Sequence, residues 1–245
     1  MRSKLFTSLI AIPLGAAVLV GGLMATTSPA SSKEMVSSIA RGGQLYDKWF
    51  KVIGAQKPQE THKLWPASNT KKAGDVTWRC KSCHGWDLKG KDGAYSKGSY
   101  MTGIVGLAAM ANADNAKIIA VMKDSKHGYA GMMAEQDFMD LANFVSKGQL
   151  DMSKYIDYAS KDIKGDAAKG EVYYNTICAK CHGEDGTLPK DMEETVGELI
   201  NDNPWEILHK TLNGQPSETM PAMRAFDPQV SADILAYGKS LPTHK

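Results

Sequence analysis

Two stretches, "WRCKSCHGWD" at 78–87 and "ICAKCHGEDG" at 177–186, carry the same box, Cys-x-x-Cys-His, ninety-eight residues apart. The chain has four Cys, and all of them lie in the boxes: Cys80 and Cys83 ahead of His84, Cys178 and Cys181 ahead of His182. Two thiols at this spacing can add to the two vinyl groups of a haem while the adjacent imidazole reaches the iron as proximal ligand. A zinc cage of four thiolates, or a pair of thioredoxin-like redox boxes, would use the same cysteines. Neither accounts for a His directly after each pair. The boxes therefore predict two covalently bound haem c groups, with thioethers from Cys80, Cys83, Cys178 and Cys181 and iron ligands His84 and His182.

The N-terminus sets the compartment. Basic "MRSK" is followed by an uncharged run, "LFTSLIAIPLGAAVLVGGLMA", and then by polar, small "TTSPASS", the order of an export signal with a cleavage point after Ala30. The run is also about as long as a membrane span, so an uncleaved anchor over 1–30 is the alternative. Either way the chain is expected to be exported to an oxidising compartment, where four bare thiols would oxidise unless other chemistry claimed them. Residues 1–30 hold two of the 29 basic side chains and none of the 27 acidic ones, so the remainder balances at 27 of each. Nothing in that balance points to a nucleic-acid partner.

Around the boxes the chain repeats. "ARGGQLYDKWF" at 40–50 parallels "AKGEVYYNTIC" at 168–178, with Gly42 on Gly170 and Tyr46 on Tyr174. Beyond the boxes, "DLANFVSKG" from Asp140 parallels "DILAYGKSL" from Asp233, with Leu141 and Phe144 on Ile234 and Tyr237, three residues apart on one helical face. On these residues and the two boxes the chain resembles a tandem of class I c-type cytochrome domains, a periplasmic dihaem cytochrome c. The resemblance implies an all-α fold of two domains, each enclosing one haem, with opening and closing helices packed together. Tyr46, Phe144, Tyr174 and Tyr237 are then expected in the cores. The expected organisation is a first domain at 34–150, a linker at 151–165 that partly packs between domains, and a second domain at 166–245.

The repeat is unequal in one place. The offset falls from 128 at the opening helices to 98 at the boxes, so the first domain carries about thirty extra residues, near 51–79. A stretch with two Pro, two Gly and several Lys reads as a surface loop at a haem edge, with His62 and Trp65 as its candidates for contact.

The ligand opposite each proximal His decides the redox chemistry, because a thioether raises the potential relative to a second imidazole. In the second domain Met220-Pro221 matches the Met-Pro loop of the class I family, which makes Met220 the expected sixth ligand and Met223 a core filler. The first domain has no Met-Pro. Aligning the closing helices without a gap sets His127 on Met220, whereas a five-residue deletion brings Met132 or Met133 there instead. His127 is the first choice, with Met132 or Met133 as alternatives. His209 and His244 read as surface residues.

No phosphate loop, catalytic triad or paired-carboxylate pattern is recognisable. The expected function is to carry single electrons between periplasmic redox proteins whose identities the sequence does not give. A haem enzyme of the peroxidase or sulfur-compound dehydrogenase type with a catalytic first haem is one alternative. An electron-transfer subunit of a larger oxidoreductase is the other.

Overall fold

The computed structural model describes residues 29–244; the expected export segment lies outside them but for its last two residues. In chain order the helices are α1 (Pro29–Val52), α2 (Cys80–His84), α3 (Asn115–Lys123), α4 (Glu135–Lys147), α5 (Ala167–Tyr173), α6 (Ala179–His182), α7 (Val196–Asp202), α8 (Pro204–Asn213) and α9 (Pro228–Gly238). Among the described residues there are no strands, only the isolated bridges Gly90–Val105 and Ile156–Ile163. No described helix is long and apolar enough to cross a membrane.

Ile39, Leu45, Tyr46, Trp49 and Phe50 fall on one face of α1, and Phe138, Leu141, Phe144 and Val145 on one face of α4, so the two helices bury each other's apolar stripes. Arg41 fixes their register by reaching Asp137 and Asp140, each at 2.5 Å. α5 packs along α9 in the same way. In both pairs a glycine sits at the crossing, and its lack of a Cβ is required. A Cβ on Gly42 would overlap the Asp140 carbonyl, and one on Gly170 would overlap the Asp233 carbonyl. The helix ends are capped locally: Asp166, Thr195, Asn203 and Asp227 each accept a backbone N–H from the first turn that follows.

The two halves share a core. Trp86 and Tyr95 from the first half, Met152 and Ile156 from the connecting stretch, and Ile200, Trp205, Leu208, Leu212 and Leu235 from the second half form one buried cluster. Leu208 and Leu212 are fully buried there, each stabilising by about 1.5–3 kcal/mol relative to exposure. The connecting stretch is tied down further by Tyr158, whose hydroxyl donates to Asp87 at 2.8 Å and whose ring packs edge-on to Trp205.

One sequence expectation is corrected at this interface. His209, read as a surface residue, is 1% exposed, and its ring sits among Tyr46, Trp86 and Phe144 with centroids 5.0–5.8 Å away. Its Nε2–H donates to the Gly43 carbonyl at 2.9 Å. It escaped notice because the other side of its environment, α1, lies more than 160 positions earlier. Its place at i+4 from Trp205 on the same apolar stripe as Leu208 and Leu212 was the available signal.

The 51–79 insertion runs over the surface and is pinned by a few buried anchors. His62 is buried against Trp78 (4.4 Å) and Tyr129 (5.9 Å), Trp65 is buried, and a short 3₁₀ turn at Gly74–Trp78 leads into the first box.

Candidate cofactor sites

Each box is one short helical turn, and a Cys-x-x-Cys spacing on a helix places both sulfurs on one face. The helix stops at the residue after the histidine, a glycine in the left-handed region in both cases: Gly85 at φ +79° and Gly183 at φ +76°. That turn brings a later carbonyl under each imidazole. His84 Nδ1 donates to Val105 O at 2.8 Å, and His182 Nδ1 to Leu188 O at 3.2 Å. With Nδ1 carrying the proton, Nε2 of each ring presents its lone pair outward, the tautomer a metal-binding imidazole needs. Burial depresses the His84 pKa against the opposing hydrogen bond to Val105, with a smaller depression from the nearby His127.

A second feature recurs behind each box. Tyr46 Oη donates to Gly85 O at 2.6 Å and Tyr174 Oη to Gly183 O at 3.0 Å, so the opening helix holds the residue next to the histidine in both halves. Each tyrosine packs on the closing helix at nearly the same geometry: Tyr46 on Phe144 at 5.2 Å and 47°, Tyr174 on Tyr237 at 5.5 Å and 54°.

Burial pushes the Cys80 and Cys83 thiols up to about 12 and the Cys178 thiol up to about 11. Among the described residues no three His, Cys, Asp or Glu side chains come together as a metal cage, so the two pairs are not joined in a four-thiolate site. The residues whose carbonyls hold the imidazoles, Val105 and Leu188, expose their apolar side chains beside the boxes. Two adjacent thiols, an imidazole with a free Nε2 and an apolar surround fit a covalently attached haem.

Of the candidate sixth ligands, His127 lies in the turn after α3. Its Nδ1 is 3.3 Å from Asp124 Oδ1, its backbone N–H donates to the same oxygen at 2.7 Å, and its carbonyl accepts from His62 Nε2 at 2.9 Å. Two residues on, Tyr129 is buried close to Cys80 and Cys83, so the 127–133 segment runs past the first box. Met133 is buried in the core with Phe138 and Leu141, and Met132 packs half-buried against that core. In the second half Met220 is half-buried in the loop between α8 and α9, and Met223 is buried against Tyr174 and Ile234.

Sequence reasoning missed a group of buried charges behind the first box. Arg79 forms an ion pair with Asp47, and although burial pushes the Asp47 carboxyl up, Arg79 holds it below the usual range. Lys81, between the two cysteines, is buried with its ammonium over Trp86 (4.5 Å) and Tyr100 (4.4 Å), and burial pushes it down to about 7. Lys81 sits in the box, Arg79 directly ahead of it and Asp47 in the opening helix, positions where charge ordinarily means solvent exposure.

Comparison with known proteins adds one match. The family model described as "Cytochrome C oxidase, cbb3-type, subunit III" matches residues 165–237, which contain the second box and Met220. No curated protein and no solved structure matches the chain. The match supports reading residues 165–237 as a c-type cytochrome domain, and with it covalently bound haem c and a haem electron-transfer role.

Proposed function

We propose that the chain is a dihaem cytochrome c of two tandem domains that passes single electrons between protein partners in the periplasm. The observation that carries this reading is the recurrence, around the first box, of the hydrogen bonds found in the matched domain: tyrosine to post-box glycine, and imidazole Nδ1 to a downstream carbonyl. Cys80, Cys83 and His84 hold the first haem; Cys178, Cys181 and His182 hold the second, with Met220 as its sixth ligand. When bound, the haem iron supplies one-electron redox chemistry. The chain's own part is to orient each imidazole, present the attachment thiols on one short turn and supply the ligand opposite.

For the first iron the reading takes His127. A ligating histidine commonly donates its other ring N–H to a carboxylate, and Asp124 stands in that position. Met133 is committed to the core, which leaves Met132 as the alternative. A second reading, an electron-transfer subunit within a larger oxidoreductase, rests on the matching family being described as an oxidase subunit.

Low-temperature EPR of the oxidised, haem-loaded protein, with its far-red absorption, tests the proposal. Two low-spin signals are expected, with a thioether-to-iron charge-transfer band that Met220→Ala abolishes and His127→Ala does not. A high-spin signal from one iron in the unmodified protein would refute a pure carrier and place catalysis at that centre.

A further inference from the structure

The loop that bears Met220 is attached to the wrong half of the molecule. It leaves α8 at Asn213, whose carbonyl accepts from Gln44 Nε2 of α1 at 2.8 Å. The Gln44 amide lies against Gly214, where a Cβ would come within 2.7 Å of its Nε2 and 2.9 Å of the Met220 carbonyl. Four residues beyond Asn213 the contact is renewed: Ser217 Oγ donates to the Lys51 carbonyl, and Lys51 Nζ pairs with Glu218 at 2.8 Å. The approach is close because Gly43 leaves room for Asn213. α1 also carries Tyr46, which holds the glycine after His84.

We infer that Gln44 of the first domain and Ser217 of the loop form an interdomain clamp that positions Met220 on the second iron, so that the first domain sets the strength of axial ligation in the second. This rests on the reading of Met220 as a ligand. A thioether is a weak iron ligand held in place by its loop, and exogenous donors compete with it whenever the loop swings away. Anchoring the stretch from α8 to Met220 to α1 at two points disfavours that open form. The pair with Glu218 is solvent-exposed on both sides, so it contributes little, and the two hydrogen bonds carry the effect.

The test uses the haem-loaded full chain. Gln44→Met keeps the side chain's bulk against Gly214 and removes the donor; Ser217→Ala removes a hydroxyl at the exposed surface. Imidazole is titrated into the ferric protein while the strongly shifted methyl resonance of the iron-bound thioether is followed, assigned by its loss in Met220→Ala. The double variant is expected to release Met220 at about tenfold lower imidazole than the unmodified protein, and Ser217→Ala alone at about threefold lower, as loss of two or one net hydrogen bonds would give. Equal imidazole affinity in all three chains would overturn the clamp while leaving Met220 as ligand. If Met220→Ala removes no thioether resonance, the ligand assignment itself fails, and the clamp with it. Should the double variant fold poorly, the Ser217→Ala comparison decides alone.

Discussion

Lowering the pH should weaken this protein through His209, and the size of the effect follows from where that ring sits. It is sealed among Tyr46, Trp86 and Phe144, with its Nε2–H spent on the Gly43 carbonyl. A charged ring there would lose its hydration; Asp47 favours the charged form, Arg224 and Lys210 oppose it, and burial dominates, holding the pKa down to about 4. In the unfolded chain it would titrate near 6.5, so between these values the unfolded state binds a proton that the folded state refuses. Stability from this residue is therefore complete above about pH 6.5 and is lost as the pH falls toward 4, by about 3.4 kcal/mol for a gap of about 2.5 units. His209→Gln keeps an amide donor for Gly43 and removes the titration. Urea unfolding of both haem-loaded proteins from pH 7 to pH 4 cancels the carboxylates they share. The variant should gain about 3 kcal/mol relative to the unmodified chain across that range. Profiles that stay parallel to within about 0.5 kcal/mol would mean that water or a counter-charge reaches His209, and the burial argument would be wrong.

Two further outcomes follow from the paired geometry. Replacing Cys80 and Cys83 with Ala should leave one haem per chain, and replacing all four cysteines none, as read by mass spectrometry and by haem absorbance in alkaline pyridine. Gly42→Ala and Gly170→Ala should each lower stability by about 1–3 kcal/mol by overpacking a helix crossing, measured by thermal unfolding; a neutral Gly170→Ala would mean that α5 and α9 are not held in contact as described.

What the sequence disclosed and what it withheld divide along physical lines. Covalent attachment needs its reactive groups within one helical turn, so Cys80–His84 and Cys178–His182 are local words that can be read without a fold. The aromatic pairs were legible for a related reason: Tyr46 with Phe144 and Tyr174 with Tyr237 recur at matched offsets, and both pairs meet in the structure. The ligand opposite the first histidine was not legible, because nothing local separates His127 from Met132 once the Met-Pro pattern is missing. His62 lies in the loop that Pro, Gly and Lys mark, yet two aromatic neighbours sixteen and sixty-seven positions away bury it. Burial of that kind is decided by tertiary packing rather than by composition.

The cluster built from Trp86, Met152, Ile156, Trp205 and Leu208 joins the two halves through their interiors rather than by a tether. On the dihaem reading, an electron moving from one box to the other crosses a gap of fixed width and orientation, with no search by diffusion. Its rate should then be indifferent to solvent viscosity, and a partner docking at either end would meet a wire already assembled.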